Sequence, residues 1–134
     1  MARAPDNPVL LYEYARVQRN LGEHEQARQT LEAVLSKHPN WVEAVVERGL
    51  VELDLRQTEA AGRRLRQAEQ LSPKHRAVLF ALVEYLRQTG EKEELQRYQA
   101  RIEEVEAEVR QRVEAALQEQ ARLKQRKTAP TSSP

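Results

Sequence analysis

The sequence predicts an all-α fold, a right-handed α-solenoid of stacked antiparallel helix pairs that ends in a long extended helix. Ala27 and Ala61 lie 34 residues apart, as do Leu31 and Leu65, and a fixed period of this length is typical of helical repeat arrays. A stretch without Gly or Pro then runs over residues 91–129. A single helix from Glu91 to about Lys127 would be about 55 Å long.

Composition limits the function classes that the chain can support. The 134 residues suit one domain, and 22 basic against 21 acidic residues give a net charge of +1. This balance gives no general reason to expect nucleic acid or an anionic surface as a partner. The absence of cysteine excludes disulfides, thiolate nucleophiles and Cys-based zinc sites. No signal-like or membrane-spanning apolar run is present, so we expect no membrane partner and a cytoplasmic location.

The N-terminal residues 1–7 admit two interpretations. Pro5 lies 34 residues before Pro39, so the segment is either the end of a preceding repeat or an N-terminal lead-in. In either case the order Asn7-Pro8 indicates a helix start, with Asn7 as N-cap and Pro8 at the first helical position.

The first repeat is predicted over residues 8–40. Apolar residues recur at spacings of three and four up to Leu21, which is the pattern of one helical face, and Gly22 suits the helix end. A second helix is predicted from about Glu23 to Lys37. It ends there because the residue before Pro39 disfavours the helical conformation.

The second repeat is predicted over residues 41–74, with helices from Val42 to Leu55 and from Glu59 to Leu71. Gly49 would cost about 1 kcal/mol in a helix interior relative to Ala, so we expect a packing reason, a close approach of the two helices. Arg56-Gln57 replaces the turn glycine of the first repeat, and a slightly different turn is expected.

A degenerate third repeat is predicted over residues 75–107. Its segment 77–83 is apolar nearly all round, so the helix that follows Gly90 is expected to cover it. Residues 108–127 are a C-terminal helical extension that projects into solvent, bends back or pairs with another chain, and residues 128–134 form a disordered tail. Ion pairs at i,i+4 spacing are expected along this helix: Glu93–Arg97, Glu106–Arg110 and Glu108–Arg112.

These features resemble the tetratricopeptide repeat over about residues 8–102. The first unit carries the motif as Leu11, Tyr14-Ala15, Ala27, Leu31 and Pro39, and the second as Val45, Arg48-Gly49, Ala61, Leu65 and Pro73. The third retains Leu79, Leu82-Val83 and Gly90, but has Leu95, Gln99 and Ala107 at the Ala, aromatic and Pro positions. No unit has the motif Trp, and Gln18 and Glu52 occupy the usual Tyr position. Because the third proline is missing, the last repeat helix is expected to continue directly into the terminal one.

The resemblance implies recognition without catalysis, so no enzymatic activity, catalytic residue, metal or cofactor is expected. It implies a groove lined by the first helix of each repeat, in which a protein or peptide partner lies. The groove positions are Val9, Tyr12, Arg16, Arg19, Asn20, Glu43, Val46, Leu50, Asp54, Phe80, Glu84 and Arg87, with Leu53, Ala77 and Gln88 beside them. The alternative for Val46, Leu50 and Phe80 is that they only pack between helices.

Three hypotheses for the function follow. The first is a scaffold or adaptor that binds a peptide or protein segment in the groove. The second is a structural element that forms a homodimer through the long C-terminal helix or the open face of the first repeat. The third is a spacer array of a larger, possibly catalytic, protein. The basic end at residues 122–127 lacks interleaved aromatic residues, which favours a solubilising helix end over a nucleic-acid interface.

Overall fold

The computed structural model describes residues 7–128, and six helices fill that range. The helices are α1 (Pro8–Asn20), α2 (His24–Lys37), α3 (Val42–Asp54), α4 (Thr58–Leu71), α5 (Arg76–Thr89) and α6 (Lys92–Thr128). Successive helices pack as pairs, and each pair packs on the next, with α3 in contact with α2, α4 and α5. The predicted all-α solenoid is therefore confirmed. The expected lead-in and tail fall largely on residues 1–6 and 129–134, which lie outside the described range.

The first helix begins as its sequence predicts. The Asn7 side chain accepts a hydrogen bond of 2.9 Å from the backbone N–H of Val9, and Pro8 is the first helical residue. The cap satisfies a backbone donor that would otherwise have no partner in the helix. None of the helices in the described range is long and apolar enough to cross a membrane.

The turn inside the second repeat differs from the expectation. Arg56 has a φ of +64°, close to the +82° of Gly22 in the first repeat. The backbone N–H of Gln57 donates to Glu52 O at 2.8 Å, just as Glu23 donates to Gln18 O at 2.8 Å. The two turns are the same, and the expected difference was wrong. Packing of α3 on α4 holds the arginine in a left-handed conformation that costs about 1 kcal/mol for a residue with a side chain.

The close approach of α3 to α4 has the expected cause. A Cβ added to Gly49 would lie 2.7 Å from Cδ2 of Leu65, closer than carbon atoms pack. Leu65 and Ala61 of α4 are both fully buried. Gly49 therefore makes room for the core leucine of the neighbouring helix, and the glycine is explained by packing rather than by a turn.

The third helix pair closes the core as predicted. Val78, Leu79 and Leu82 of α5 are fully buried, because α5 contacts α3, α4 and α6. Tyr98 and Ile102 supply the buried face of α6. The segment after Gly90 thus covers the apolar part of α5.

Polar contacts tie the first half of α6 to α4. The Tyr98 hydroxyl donates to Oε2 of Glu69 at 2.6 Å, and the Arg101 guanidinium donates to the same oxygen at 2.7 Å. Arg66 donates to the Tyr98 oxygen at 2.7 Å and to Glu94 at 2.6 Å. Charged groups shared in this way fix the direction in which α6 leaves the array.

The second half of α6 leaves the array as a continuous helix. It passes through Ala107, where the motif has a proline, without interruption, and every residue from Glu108 to Thr128 is exposed. The expected i,i+4 pairs of this helix are not formed. Glu106 contacts Arg76 at 2.9 Å and Glu108 contacts Lys74 at 3.5 Å, because these long side chains reach the start of the third repeat.

Candidate functional site

A groove of about 400 Å³ lies across the first helices of the three pairs. Predicted residues that line it are Tyr12, Arg16, Glu43, Val46, Leu50, Ala77 and Phe80, and two further lining residues, Glu47 and Ala81, were not singled out from the sequence. The side chains come from α1, α3 and α5, so the stacking of the repeats is what brings them together.

One wall of the groove is aromatic. The Tyr12 ring packs against Trp41 with centroids 5.2 Å apart at a tilt of 41°, and the Arg16 guanidinium lies 5.8 Å from the Tyr12 centroid. Burial of the Tyr12 hydroxyl raises its pKa, and the nearby Glu47 carboxylate raises it further. Tyr12 is therefore a neutral hydrogen-bond donor at physiological pH, held in place by Trp41.

The opposite wall is Phe80, and the floor lies between the two. Phe80 is 49% exposed, and the Arg76 guanidinium lies 5.8 Å from its ring centroid. Val46 is buried at 4% exposure and Leu50 is partly buried. Val46 is thus buried between helices and also lines the groove, whereas the Phe80 ring is half exposed to solvent.

Arg19 and Asp54 lie at one end of α1 and α3 and bind each other. Nε of Arg19 donates to Oδ2 of Asp54 at 3.0 Å, and its Nη1 donates to Oε1 of Glu47 at 3.0 Å. Glu47 is only 6% exposed, so this contact compensates the buried carboxylate. Both predicted residues serve the α1–α3 contact. Glu47 could have been found from the sequence, because it directly follows the predicted groove residue Val46.

Glu43 is joined to the start of α5 through His75. The Glu43 Oε1 and His75 Nε2 atoms are 3.1 Å apart, while His75 Nδ1 accepts from the backbone N–H of Ala77 at 3.2 Å. With Nδ1 as acceptor, Nε2 carries the proton that is donated to Glu43. The pKa of Glu43 is lowered by its own backbone N–H and then by His75. This acid is therefore ionised, and its position is fixed.

Besides Arg19 and Asp54, four of the predicted groove residues do not line the cavity. Val9 and Asn20 are exposed near the two ends of α1. Glu84 and Arg87 form an exposed ion pair of 3.9 Å one turn beyond the Phe80 wall. Val9 and Asn20 thus lie at the two ends of α1, and Glu84 and Arg87 lie in the second half of α5, past the residues that line the cavity.

A second depression, of about 520 Å³, lies between α4 and α5. Its lining is mostly long charged and amide side chains: Glu59, Gly62, Arg63, Arg66, Gln67, Gln70 and Tyr85. Binding pockets are usually lined mainly by apolar side chains. This depression lacks the apolar floor that the groove has. The groove is therefore the better candidate site.

The tetratricopeptide repeat model matches residues 1–46, which contain the first helix pair and the start of α3. This match covers 46 of the 134 residues. The motif departures at Gln18 and Glu52 are accommodated by polar contacts, since Thr30 donates to Gln18 at 2.7 Å and Arg64 donates to Glu52 at 3.0 Å. A search of curated proteins found no match.

Solved structures share the repeat architecture. The type III secretion translocator chaperone SycD of Yersinia enterocolitica matches with a TM-score of 0.70 at 23% identity, over 91% of this chain and 96% of that one. SycD in complex with a peptide of the translocator YopD matches with a TM-score of 0.67 at 22% identity, over 91% and 97%. At these identities the likeness shows the fold.

A chain of MamA from Desulfovibrio magneticus RS-1, beginning at residue 41, is also similar. It has a TM-score of 0.70 at 19% identity over 78% of this chain. The repeat chain spans 59% of that MamA chain, and 58% of a MamA double mutant. The likeness thus covers about three fifths of MamA but nearly all of SycD.

Proposed function

We propose that this chain is a non-enzymatic protein interaction scaffold that binds a peptide or protein segment in the groove across α1, α3 and α5. The observation that carries the proposal is the half-exposed Phe80 ring facing an apolar floor. Exposed aromatic side chains beside a concave apolar surface are typical anchors of protein interfaces.

The groove is suited to one large apolar side chain of the partner. Its volume of about 400 Å³ lies within the range of pockets that hold ligands, about 300–1,000 Å³. The floor of the groove offers apolar contact through Val46, Leu50 and Ala81. Its walls offer further contact through Tyr12 and Phe80. Burial of one Leu or Phe there would contribute about 1.5–3 kcal/mol.

The charges around the groove favour an acidic group next to that apolar anchor. Glu47 is engaged by Arg19 and Glu43 by His75. Arg16 is half exposed, and its ion pair with Glu13 has a length of 3.5 Å, so it is weakly held. An acidic side chain of the bound segment would complete the hydrogen bonding of Arg16.

The peptide complex of SycD supports this class of function. SycD has a similar fold along almost its whole length and was solved with a peptide of YopD. The hypothesis that these repeats are a spacer of a larger protein stays a prediction. A spacer would show the same stacked helices, but it would not require an exposed Phe80 side chain.

The test is peptide selection followed by a comparison of variants. Peptides of about 12 residues would be selected from a random display library on the wild-type chain, and their affinities measured for Tyr12→Ala and Phe80→Ala. We expect each substitution to weaken binding by about tenfold or more, because loss of an aromatic anchor costs more than about 1 kcal/mol. Melting temperatures should change little for Phe80→Ala, since that ring is half exposed.

The matched control is Val113→Ala, which removes an equally exposed apolar side chain of α6 and should leave peptide affinity unchanged. Peptides that bind both groove variants as tightly as the wild type would show that the groove is not the site.

A further inference from the structure

A second apolar surface lies on α1, apart from the groove. Four large apolar side chains of α1 and of the residue that caps its C-terminus are each more than half exposed. They recur at spacings of four, three and four residues: Leu10, Tyr14, Val17 and Leu21. None of them lines the groove. We call this set the α1 stripe.

The same face is covered in the other two repeats. Ala44 and Val51, which stand 34 residues after Leu10 and Val17, are fully buried, and α3 contacts α2 there. Arg48, the counterpart of Tyr14, bonds to Glu32 of α2 at 3.1 Å. In the third repeat Val78 and Leu82 are fully buried as well. In the second and third repeats this face of the first helix therefore packs against a neighbouring helix.

We propose that the α1 stripe is covered by the α1 stripe of a second copy, in an antiparallel dimer with two-fold symmetry. Spacings of four, three and four read the same in both directions. In an antiparallel pair Leu10 therefore lies opposite Leu21 of the second copy, and Tyr14 lies opposite Val17. A two-fold interface requires a self-complementary surface of this kind.

The charges beside the stripe allow two copies to approach. Glu13 and Arg16 of α1 form an ion pair at 3.5 Å, so their charges offset each other. The stripe itself carries no charge. Desolvation of this face buries mainly apolar surface, which is the favourable term in association.

The other exposed apolar face, on the outer half of α6, is a poorer surface for self-association. Val109, Val113 and Leu117 are exposed there, but residues 108–128 hold six bases and three acids, a net charge of +3. Two copies would bring like charges together. A register that pairs these bases with acids near Glu103 is obstructed, because Ile102 on the same face packs into its own array.

The dimer is expected to be weak. One helix face per subunit gives an interface near the low end of the known range, on the order of 1,000 Å² in total. Association should therefore be visible at concentrations of tens to hundreds of micromolar rather than nanomolar.

The test is the absolute mass of the full chain by light scattering over a concentration series. The wild type should rise from 15.5 kDa towards twice that mass. Tyr14→Glu should raise the dimer dissociation constant by about 30-fold or more, because it places a charge in the centre of the interface. The matched control is Val113→Glu, at an equally exposed position of α6, which should leave the dissociation constant unchanged. Circular dichroism verifies that both variants keep their helices.

A wild type that stays at 15.5 kDa up to several hundred micromolar would overturn the proposal. So would dissociation by Val113→Glu with Tyr14→Glu unaffected, which would place the contact on α6.

The antiparallel register has its own test, because the chain has no cysteine. A mixture of Leu10→Cys and Leu21→Cys chains should form a disulfide between the two variants on mild oxidation, at several times the yield of either variant alone. Equal or greater yield with Leu10→Cys alone would show parallel helices and contradict the proposed symmetry.

Discussion

Repeats 1 and 2 share a plan but differ in their surroundings. Val17 and Val51 occupy the same repeat position, yet Val17 is 52% exposed and Val51 is fully buried. The difference is a neighbour, since α3 lies on α2, whereas no described helix lies on the corresponding face of α1. The comparison teaches that the repeat period determines the direction in which a side chain points. The adjoining helix determines whether that side chain is buried and therefore how much it contributes to stability.

A second equivalent pair shows how the same position takes different chemistry. Gln18 and Glu52 are both buried, and each is bonded by a residue twelve positions later, Thr30 and Arg64 respectively. The first contact is neutral and the second is ionic. Arg48 also lies 3.2 Å from Glu52, so the middle repeat holds its buried carboxylate between two guanidinium groups. Such a buried acid requires these partners, because an unpaired charge in the interior is costly.

The largest expected effect tests burial at equivalent positions. Val51→Asp should lower the free energy of unfolding by about 3 kcal/mol or more, since a charge without a partner would be buried between α2 and α3. Val17→Asp should change it by no more than about 0.5 kcal/mol. Urea denaturation followed by circular dichroism, at protein concentrations of a few micromolar, measures both. Equal losses would mean that the two faces are covered alike.

The next effect concerns the contact between repeats. Leu35 of α2 is apolar, but its counterpart in α4 is Glu69, which bonds to Tyr98 and Arg101 of α6. Burial raises the pKa of Glu69, but these hydrogen bonds and the neighbouring arginines outweigh burial and leave the pKa below its usual value. Glu69→Gln should therefore cost about 1–2 kcal/mol at pH 7.

The sign of the pH dependence follows from that lowered pKa. The stabilisation by Glu69 is complete above the pKa of the unfolded chain, about 4.3, and is lost as the pH falls through the lower pKa of the folded chain. The stability difference between the wild type and Glu69→Gln should thus disappear in acid. Glu59→Gln, at an exposed position of the same helix, is the control and should show no such difference at any pH. A Glu69→Gln deficit that stays the same at every acidic pH at which the chain is folded would contradict an ionic role.

The smallest effect compares the turns of the two repeats. Arg56→Gly should stabilise the chain by about 0.5–1 kcal/mol, because glycine adopts the left-handed conformation without steric cost. Gly22→Ala should destabilise it by about 1 kcal/mol, although a Cβ there would meet no atom within 4 Å. Thermal unfolding of the two variants gives the difference. A destabilised Arg56→Gly would indicate that the arginine side chain contributes more than its backbone costs.

The helix pairs and their packing could be predicted from the sequence because the responsible signals are local or periodic. Asn7 and Pro8 define the start of α1, and Gly49 predicts the close approach that Leu65 requires. Tyr12 and Phe80 were predicted as groove residues from the resemblance to the tetratricopeptide repeat, in which the first helices line a groove. Their placement rests on the 34-residue period, which the stacked helices preserve.

Other parts of the site could not be predicted, because they depend on which residues meet in space. Trp41 precedes α3 and belongs to no helical face, so its contact with Tyr12 leaves no periodic trace. The partner of Glu47 lies 28 residues earlier, at Arg19. The left-handed conformation of Arg56 is imposed by the packing of the pair that it joins. The sequence spacing predicted ion pairs within α6, whereas the Glu106 side chain binds Arg76 of α5.

The outer half of α6 also affects how the molecule moves through a solvent. A rod of 21 exposed residues, from Glu108 to Thr128, adds about 30 Å to one end of the array. Such a shape increases friction much more than mass. The chain should therefore elute from a sizing column like a heavier compact protein, and it should sediment more slowly than a compact protein of its own mass. A column calibrated with spherical standards would therefore report an apparent pair of chains where there is only one.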